Sequence, residues 1–461
     1  MNLKKPHIVF VINYFYPDYA STGQLLTELC LHLQHDFRIT VIAAQPGYAG
    51  EKSEAKAPRY SEDYLEQIRI LRIRLPEVNK RSKASRIRYI SAYFAHAVKL
   101  LLKQRNADFI YTISQPPVLG GLIGTIGKLA LRSRHIYNIQ DFNPEQAQAA
   151  NFMSQPLLHK AALAVDKLNC RLSDHVILVG QDMKETLERR FNGRRVPAHS
   201  VINNWTNEEE IVPLKRDEPG VMEFLREHGL EDKFVVMYSG NLGLYYDLEN
   251  LIRIAPQFKE LSDLMFVFIG EGAVKGQMED FVREQGLQNV LFLPYQPKEK
   301  LRYSLNAADV HLVVNQKGIK GVSVPSKIYG VMAAGKAVMG VLEEGSEAHR
   351  LIVESGCGST SEPQRYSDAA RQLMGLYRLG RSGLTERGLQ GRGYLERHLR
   401  RSLSLEKYRQ LLLSLYTGGK KGRKLSVPAE EHSPRLAPSS SAAQQPAGAA
   451  GGAMRAGGDA R

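Results

Sequence analysis

Lys317-Gly-Ile-Lys-Gly-Val-Ser-Val-Pro-Ser-Lys-Ile-Tyr-Gly-Val-Met-Ala-Ala-Gly-Lys336 runs from a polar, glycine-punctuated loop into a helix of small residues. Ser323 and Ser326 supply hydroxyls, Pro325 suits a helix start, and Lys327 puts an ammonium at the helix mouth. Free backbone amides at such a mouth carry partial positive charge and, beside a lysine, favour an anion. A departing diphosphate fits that chemistry, because the ammonium offsets the negative charge that grows as its bond breaks. Lys317 and Lys320 add to the same field. A lysine in a loop is otherwise an ordinary solvent-facing residue, so the strand, loop and helix around it carry the inference.

On both sides of this stretch, strands are expected at 234–238, 265–269, 290–293, 310–314 and 337–341. Helices are expected between them at 247–259, 274–285, 298–307, 325–334 and 346–355. A first series precedes it, with strands at 7–11, 38–43, 68–73, 109–113, 135–139, 175–179 and 201–202. Its helices fall at 23–33, 86–103, 119–131, 158–172 and 181–190. Short, nearly all-apolar strands separated by helices of this length indicate parallel sheets covered on both faces. The expected fold class is therefore α/β, with two Rossmann-like domains whose sheets face each other across a cleft. The boundaries read as 1–205 for the first domain, 206–220 for a linker and 221–392 for the second domain. Residues 393–417 read as helices packing back on the first domain, and 418–461 as a disordered tail too poor in large apolar residues to offset its ordering entropy. Residues 45–63 read as a polar loop near the cleft.

A chain of 461 residues is too long for one ordinary core, which agrees with two domains. Cys30, Cys170 and Cys357 are far apart and read as buried thiols, not as a disulfide or metal framework. The apolar run beginning at His7 is short and lacks a cleavage pattern, so it reads as a first strand and not as a signal peptide. No run is long and apolar enough to read as a membrane span. The net charge of +14 is concentrated in two places. One is the tail; the other is Lys80, Arg81, Lys83, Arg86, Arg88, Lys99, Lys103 and Arg105, among which no acid stands. Such a field attracts nucleic acid, an anionic membrane surface or an anionic substrate. Tyr89, Ile90, Tyr93, Phe94, Ala97, Val98 and Leu101 give the same segment an apolar stripe at helical spacing. The stripe suits either a bilayer interface or the segment's own domain, and the exposure of Tyr89, Tyr93 and Phe94 separates the two.

Further candidate residues sit where strands end. Asn13-Tyr-Phe-Tyr-Pro17 leads to Gly23, which opens the first long helix. Ser239-Gly-Asn-Leu-Gly243 follows a strand, and Gly240 and Gly243 allow close backbone approach while Asn241 both donates and accepts. Gly270-Glu-Gly272 follows another, with Glu271 able to accept from a sugar or ribose diol, or to cap the next helix. In Gln140-Asp-Phe-Asn-Pro-Glu145, Asp141 suits an acceptor hydroxyl or a turn cap, Gln140 suits sugar hydroxyls, and Glu145 is the alternate carboxylate. Trp205, the only tryptophan, suits ligand stacking or hinge packing. No G-x-G-x-x-G dinucleotide fingerprint, G-x-x-x-x-G-K-[ST] phosphate loop, H-E-x-x-H zinc pair or G-x-S-x-G nucleophile elbow occurs. His96, His135 and His175 sit in apolar surroundings and read as structural. No metal and no cofactor is indicated, and no nucleic-acid motif supports nucleic acid as a partner.

With these residues assembled, the chain resembles the retaining glycosyltransferases of family 4, in particular the subgroup serving colanic-acid, capsule and O-antigen synthesis. The likeness is carried by Asn13 to Pro17 with Gly23, Gln140-Asp141 with Pro144-Glu145, Tyr238-Ser-Gly-Asn241, Gly270-Glu-Gly272, Val324-Pro-Ser-Lys-Ile-Tyr329 and Ala333-Ala-Gly-Lys336. Ser346-Glu347 and Gly356-Cys-Gly358 extend it over about residues 6–415. The resemblance implies a GT-B fold, a nucleotide-sugar donor held by the second domain, an acceptor on the first, and retention of configuration without an essential metal. It implies donor contacts from Gly23, Gly240, Asn241, Gly243, Gly270, Glu271, Ser323, Ser326, Lys327 and Glu347, and acceptor contacts from Tyr16, Gln140, Asp141 and Glu145. Asp141, Lys327 and Glu347 are the expected catalytic set. Many family members carry two glutamates, whose positions match Val322 and Gly330 here; Glu347, or else Glu343 or Glu344, is expected to hold the donor sugar hydroxyls in their place. The implied reaction is hexosyl or N-acetylamino-deoxyhexosyl transfer from a nucleotide sugar, UDP-linked before GDP-linked, to a lipid-diphosphate-linked glycan at the cytoplasmic face of the plasma membrane. An epimerase or phosphorylase acting on related substrates, and a non-catalytic polysaccharide-assembly or basic-surface binding protein, stay open as alternatives.

Overall fold

The computed structural model describes residues 5–18, 21–46, 58–77, 82–149 and 155–417. Two sheets organise them. The first contains β1 His7–Val11, β2 Arg38–Ala44, β3 Tyr60–Leu65, β4 Ile68–Ile73, β5 Phe109–Ile113, β6 Arg134–Ile139, β7 His175–Leu178 and β8 His199–Val201. Their order is β3-β4-β2-β1-β5-β6-β7-β8. The second contains β9 Phe234–Ser239, β10 Leu264–Ile269, β11 Val290–Leu293, β12 Val310–Val314, β13 Ala337–Val341 and β14 Gly358–Ser361, in the order β11-β10-β9-β12-β13-β14. β1, β5, β9 and β12 are apolar and buried along almost their whole length, which suits strands covered by helices on both faces. Strand order reverses between β1 and β5 and between β9 and β12. At such switch points the connections leave in opposite directions and open a crevice at the carboxyl ends of the strands. This is the GT-B architecture: two α/β lobes facing each other across a cleft.

Three features depart from the sequence reading. The first sheet is mixed, because β3 pairs antiparallel with β4 inside what reads as a loop. Its sequence is polar, but Glu62 pairs with Arg69 at 2.6 Å and Asp63 with Arg72 at 2.9 Å, so cross-strand charge holds an edge that hydrophobic pattern does not announce. A helix at Pro219–Glu227 begins inside the expected linker, and the Glu218 carboxylate caps it by accepting from the amides of Gly220 and Val221. The helix Tyr366–His398, interrupted at Gly380 where φ is 65°, runs across the expected domain boundary at 392–393.

The chain then crosses back to the first lobe as the helix Arg401–Thr417. Leu405, Tyr408 and Leu412 of this helix enter the core beneath β1, β2 and β5. Asn138 donates to the hydroxyls of Tyr111 and Tyr408 at 2.8 and 2.7 Å. Trp205 packs edge-on against Tyr408 at 6.0 Å and donates to Glu28 at 2.8 Å, so its role here is packing.

The helix Lys83–Leu101 settles the question of its stripe. Tyr93, Ala97 and Leu101 are fully buried in the first lobe, Phe94 is half-buried against them, and the Tyr89 hydroxyl donates to Asn13. The aromatic stripe therefore belongs to the protein's own core, whereas Arg86, Arg88, Lys99, Lys103 and Arg105 are exposed. Lys80, Arg81 and residues 418–461 lie outside the described residues. Among the described residues no helix is long and apolar enough to cross a membrane.

Candidate functional site

Lys327 begins the helix Lys327–Ala333, with Ser326 exposed at its cap. Its ammonium donates to the Tyr238 hydroxyl at 2.8 Å. It lies 4.4 Å from the Tyr238 ring centre and 4.1 Å from that of Tyr246. Aromatic faces favour the cation, but they also exclude water, and the desolvation pushes the Lys327 pKa down to about 7. Among the described residues no carboxylate pairs with it. Nothing in the spacing of Tyr238 and Tyr246 announces this cage; only the fold brings a strand end and the following loop to either side of the lysine.

The glycine turns form the floor. Gly240 and Gly270 have φ values of 144° and 140°, which side-chain-bearing residues rarely adopt. The Gly240 amide donates to Ile269 and the Leu242 amide to Glu271, both at 2.9 Å, zipping the two turns together. A Cβ on Gly240 would lie 2.8 Å from Lys327 Cε, and one on Gly270 would lie 2.0 Å from the Gly240 carbonyl oxygen. Gly270→Ala is therefore expected to cost about 2–5 kcal/mol of stability. A lowered thermal midpoint, with far-ultraviolet circular dichroism kept below it, checks this.

Asn241 is exposed, its carbonyl accepting from Tyr238 at 2.8 Å, and Gly243 is buried beside it. Glu271 is exposed, with its carboxylate 2.7 Å from Lys275. Gly23 lies within the first turn of the helix Ser21–Leu33, where a Cβ would come within 3.0 Å of the Tyr14 carbonyl oxygen. Tyr16 is 48% exposed.

Asp141 and Ser323 meet across the cleft. Their backbones form an isolated antiparallel bridge, and the Ser323 hydroxyl donates to Asp141 Oδ1 at 2.5 Å. Gln146 donates to the same oxygen at 3.0 Å. Burial raises the Asp141 pKa, and the two hydrogen bonds work against that rise.

Other acidic candidates are committed within the protein. Glu145 makes a two-point ion pair with Arg190 at 2.7 and 2.6 Å, and Arg190 also holds Asp166 at 2.6 Å. Gln140 accepts from Asn204 at 2.8 Å and donates to Asn138 at 2.7 Å. Glu347 is 1% exposed. Its carboxylate accepts from the Gln181 amide at 2.8 Å, from Asn203 at 2.8 Å and from Arg350 at 2.7 Å. Gln181 and Asn203 belong to the first lobe, so this carboxylate fastens the lobes together. Asp182 works beside it: it accepts from the Gly321 amide at 2.8 Å, and burial raises its pKa to about 6. A sequence reading of Glu347 sees an acid before a helix; it cannot see that both oxygens are occupied from the other lobe. Glu343 is likewise engaged, accepting from the amides of Gly318 and Lys320.

Comparison with known proteins agrees with this geometry. The family model "Glycosyl transferases group 1" matches residues 222–377, the part that carries both glycine turns and Lys327. The chain is 27% identical over 409 residues to "Probable glycosyltransferase WbjE" of Pseudomonas aeruginosa, covering 87% of this chain and 96% of that protein. It is 26% identical over 343 residues to "Putative colanic acid biosynthesis glycosyl transferase WcaI" of Escherichia coli K12, covering 71% of this chain and 81% of the relative. Among solved structures, Anabaena HepE in complex with UDP and glucose superposes with a TM-score of 0.66 at 14% identity, over 88% of this chain and 99% of HepE. The chain, whose residues 222–377 match the group-1 model, is a glycosyltransferase of GT-B fold related to WbjE and WcaI.

Proposed function

We propose that this glycosyltransferase moves a hexosyl or N-acetylamino-deoxyhexosyl group from a UDP-sugar to a glycan carried on a lipid diphosphate, in surface-polysaccharide synthesis. The observation that carries the proposal is Lys327: a half-buried ammonium without a carboxylate partner among the described residues, set over two glycine turns at the mouth of the second sheet. Such a cation awaits a ligand with negative charge. HepE, with UDP and glucose in the same fold, supports a uridine diphosphate there, and the name of WcaI supports the polysaccharide context.

In this reading residues 221–392 hold the donor and residues 1–205 the acceptor. The diphosphate lies against the Gly240 and Gly270 turns, with Lys327 and the Ser323 and Ser326 hydroxyls around it. As the bond from the anomeric carbon to the phosphate oxygen breaks, charge accumulates on that oxygen and the ammonium stabilises it. The acceptor hydroxyl attacks from the same face, which retains configuration, and its proton passes to the leaving phosphate oxygen. Asp141, on the first-lobe side, orients the acceptor, with Tyr16 at the rim. Fixing two substrates between preformed walls supplies much of the rate gain. Glu145, Gln140 and Glu347 act through the framework. Exposed Arg86, Arg88, Lys99, Lys103 and Arg105 draw the protein to the anionic inner face of the plasma membrane, where a lipid-borne acceptor resides.

Product analysis tests the activity. Incubation with a panel of UDP- and GDP-sugars and a lipid-diphosphate glycan is expected to yield a new glycosidic bond and free nucleoside diphosphate. An isomerised nucleotide sugar formed without acceptor would make the protein an epimerase instead. Binding of no nucleotide sugar at all would leave only a basic-surface role.

A further inference from the structure

The helices Lys83–Leu101, Leu119–Leu131 and Pro156–Leu172 pack side by side on one face of the first sheet. Each leads from the carboxyl end of one strand back toward the next parallel strand. All three therefore begin at the cleft end of the lobe. At those beginnings apolar side chains stand in solvent: Ile87 is 65% exposed, Leu157 83% and Leu158 56%, and Pro117 is exposed between them. Arg86, Arg88 and Lys160 are exposed alongside. The three helices contain one acid, Asp166, which is 1% exposed and paired with Arg190. Exposed Glu77 stands beside the first of these helices, its carbonyl accepting from Ser85.

Isolated exposed leucines are ordinary, but a paired Leu157-Leu158 at a helix start, on a helical layer with no solvent-facing acid, is a different composition. Apolar tips flanked by arginine and lysine suit the boundary between headgroups and acyl chains, where the tips leave water and the bases meet phosphate. A soluble protein partner would ordinarily be met by more evenly mixed charge than this face offers, where Glu77 stands against Arg86, Arg88 and Lys160. We infer that the cleft-end rim formed by Ile87, Pro117 and Leu157-Leu158, with Arg86, Arg88 and Lys160 around it, docks on an anionic phospholipid bilayer. The inference rests on the proposed lipid-borne acceptor and relocates the contact. The docking surface is not the aromatic stripe of the Lys83–Leu101 helix, which is buried, but the starts of neighbouring helices beside the acceptor side of the cleft. Docked there, the lobe holds its cleft open toward the headgroup layer.

Vesicle co-sedimentation of the full chain tests this, comparing phosphatidylglycerol mixed into phosphatidylcholine with phosphatidylcholine alone. The wild type is expected to bind the anionic vesicles, with binding weakening as salt rises. The double variant Leu157→Glu/Leu158→Glu is expected to lose about tenfold or more in partition, since two apolar tips become two anions. Leu157→Ser/Leu158→Ser, which adds no charge, is expected to lose less, and Arg86→Gln/Arg88→Gln to lose chiefly the salt-sensitive part. Unchanged UDP affinity and thermal midpoint show that each variant is folded. Transfer to a water-soluble, short-chain acceptor is expected to persist in the leucine variants while transfer to vesicle-borne acceptor falls. If both leucine variants sediment like the wild type, or the wild type binds neither vesicle, the rim is not a bilayer surface. If the variants instead abolish self-association seen by analytical ultracentrifugation, the rim is a contact between copies and the inference is overturned. Loss of soluble-acceptor transfer in the wild type itself overturns the proposed reaction without bearing on the vesicle result.

Discussion

Lys327→Ala is expected to weaken UDP binding by roughly 2–4 kcal/mol, about 30- to 1000-fold, without lowering thermal stability. The two halves of that outcome come from one fact. The ammonium is desolvated and has no carboxylate partner among the described residues, so the relief of that desolvation offsets the loss of its Tyr238 and Tyr246 contacts, whereas a bound diphosphate loses its nearest cation. The same fact sets a pH dependence. With a pKa near 7 in the unliganded protein, Lys327 is charged below that pH and neutral above it. A diphosphate beside it raises the pKa again, so binding above pH 7 takes up a proton. Affinity is then expected to fall by up to about tenfold per pH unit above that point, and this contribution is flat below it. Titration calorimetry in buffers of different ionisation enthalpy measures the proton directly. A dissociation constant that is level from the acid to the alkaline side of neutrality, or an alanine variant that binds UDP normally, would remove Lys327 from the site.

Glu347→Ala is the second large effect. Removing this carboxylate leaves the Gln181 backbone amide without its acceptor in a nearly water-free hole, and takes one partner each from Asn203, which keeps Val179, and Arg350, which keeps Glu354. Losing a buried carboxylate that satisfies three donors costs about 2–4 kcal/mol when the cation left behind keeps another partner, so the urea midpoint of the whole chain is expected to drop. Glu347→Gln keeps an acceptor and is expected to cost less. The comparison discriminates between roles: a fastener of the lobes shows its loss in unfolding, whereas a group holding donor hydroxyls would leave stability intact and lose turnover in both variants.

These two residues also mark how far the sequence is legible. Lys327 is readable because its environment is local: a strand, a glycine turn and a helix start lie within one short stretch, and backbone geometry follows from residue type. The alternating apolar runs of both lobes are readable for the same reason. Glu347 is not, because its partners Asn203 and Gln181 come from the other lobe and carry no periodicity. Gln140 and Glu145 are hidden likewise by Asn204 and Arg190. β3 escapes because its edge position tolerates a polar sequence, and the Pro219–Glu227 helix because a proline and a glycine open it. Local chemistry is written in the chain; which polar groups neutralise one another is decided by packing between distant segments.

The return of the helix Arg401–Thr417 bears on how the molecule is made. Leu405, Tyr408 and Leu412 belong to the same apolar core as Ile8, Phe10 and Trp205. During synthesis from the amino end, the first lobe emerges with that flank uncovered and stays so until about two hundred further residues have left the ribosome. The second lobe, whose segments are contiguous, completes first. A fragment ending at residue 205 would expose a greasy seam and aggregate, and the half synthesised earliest matures last.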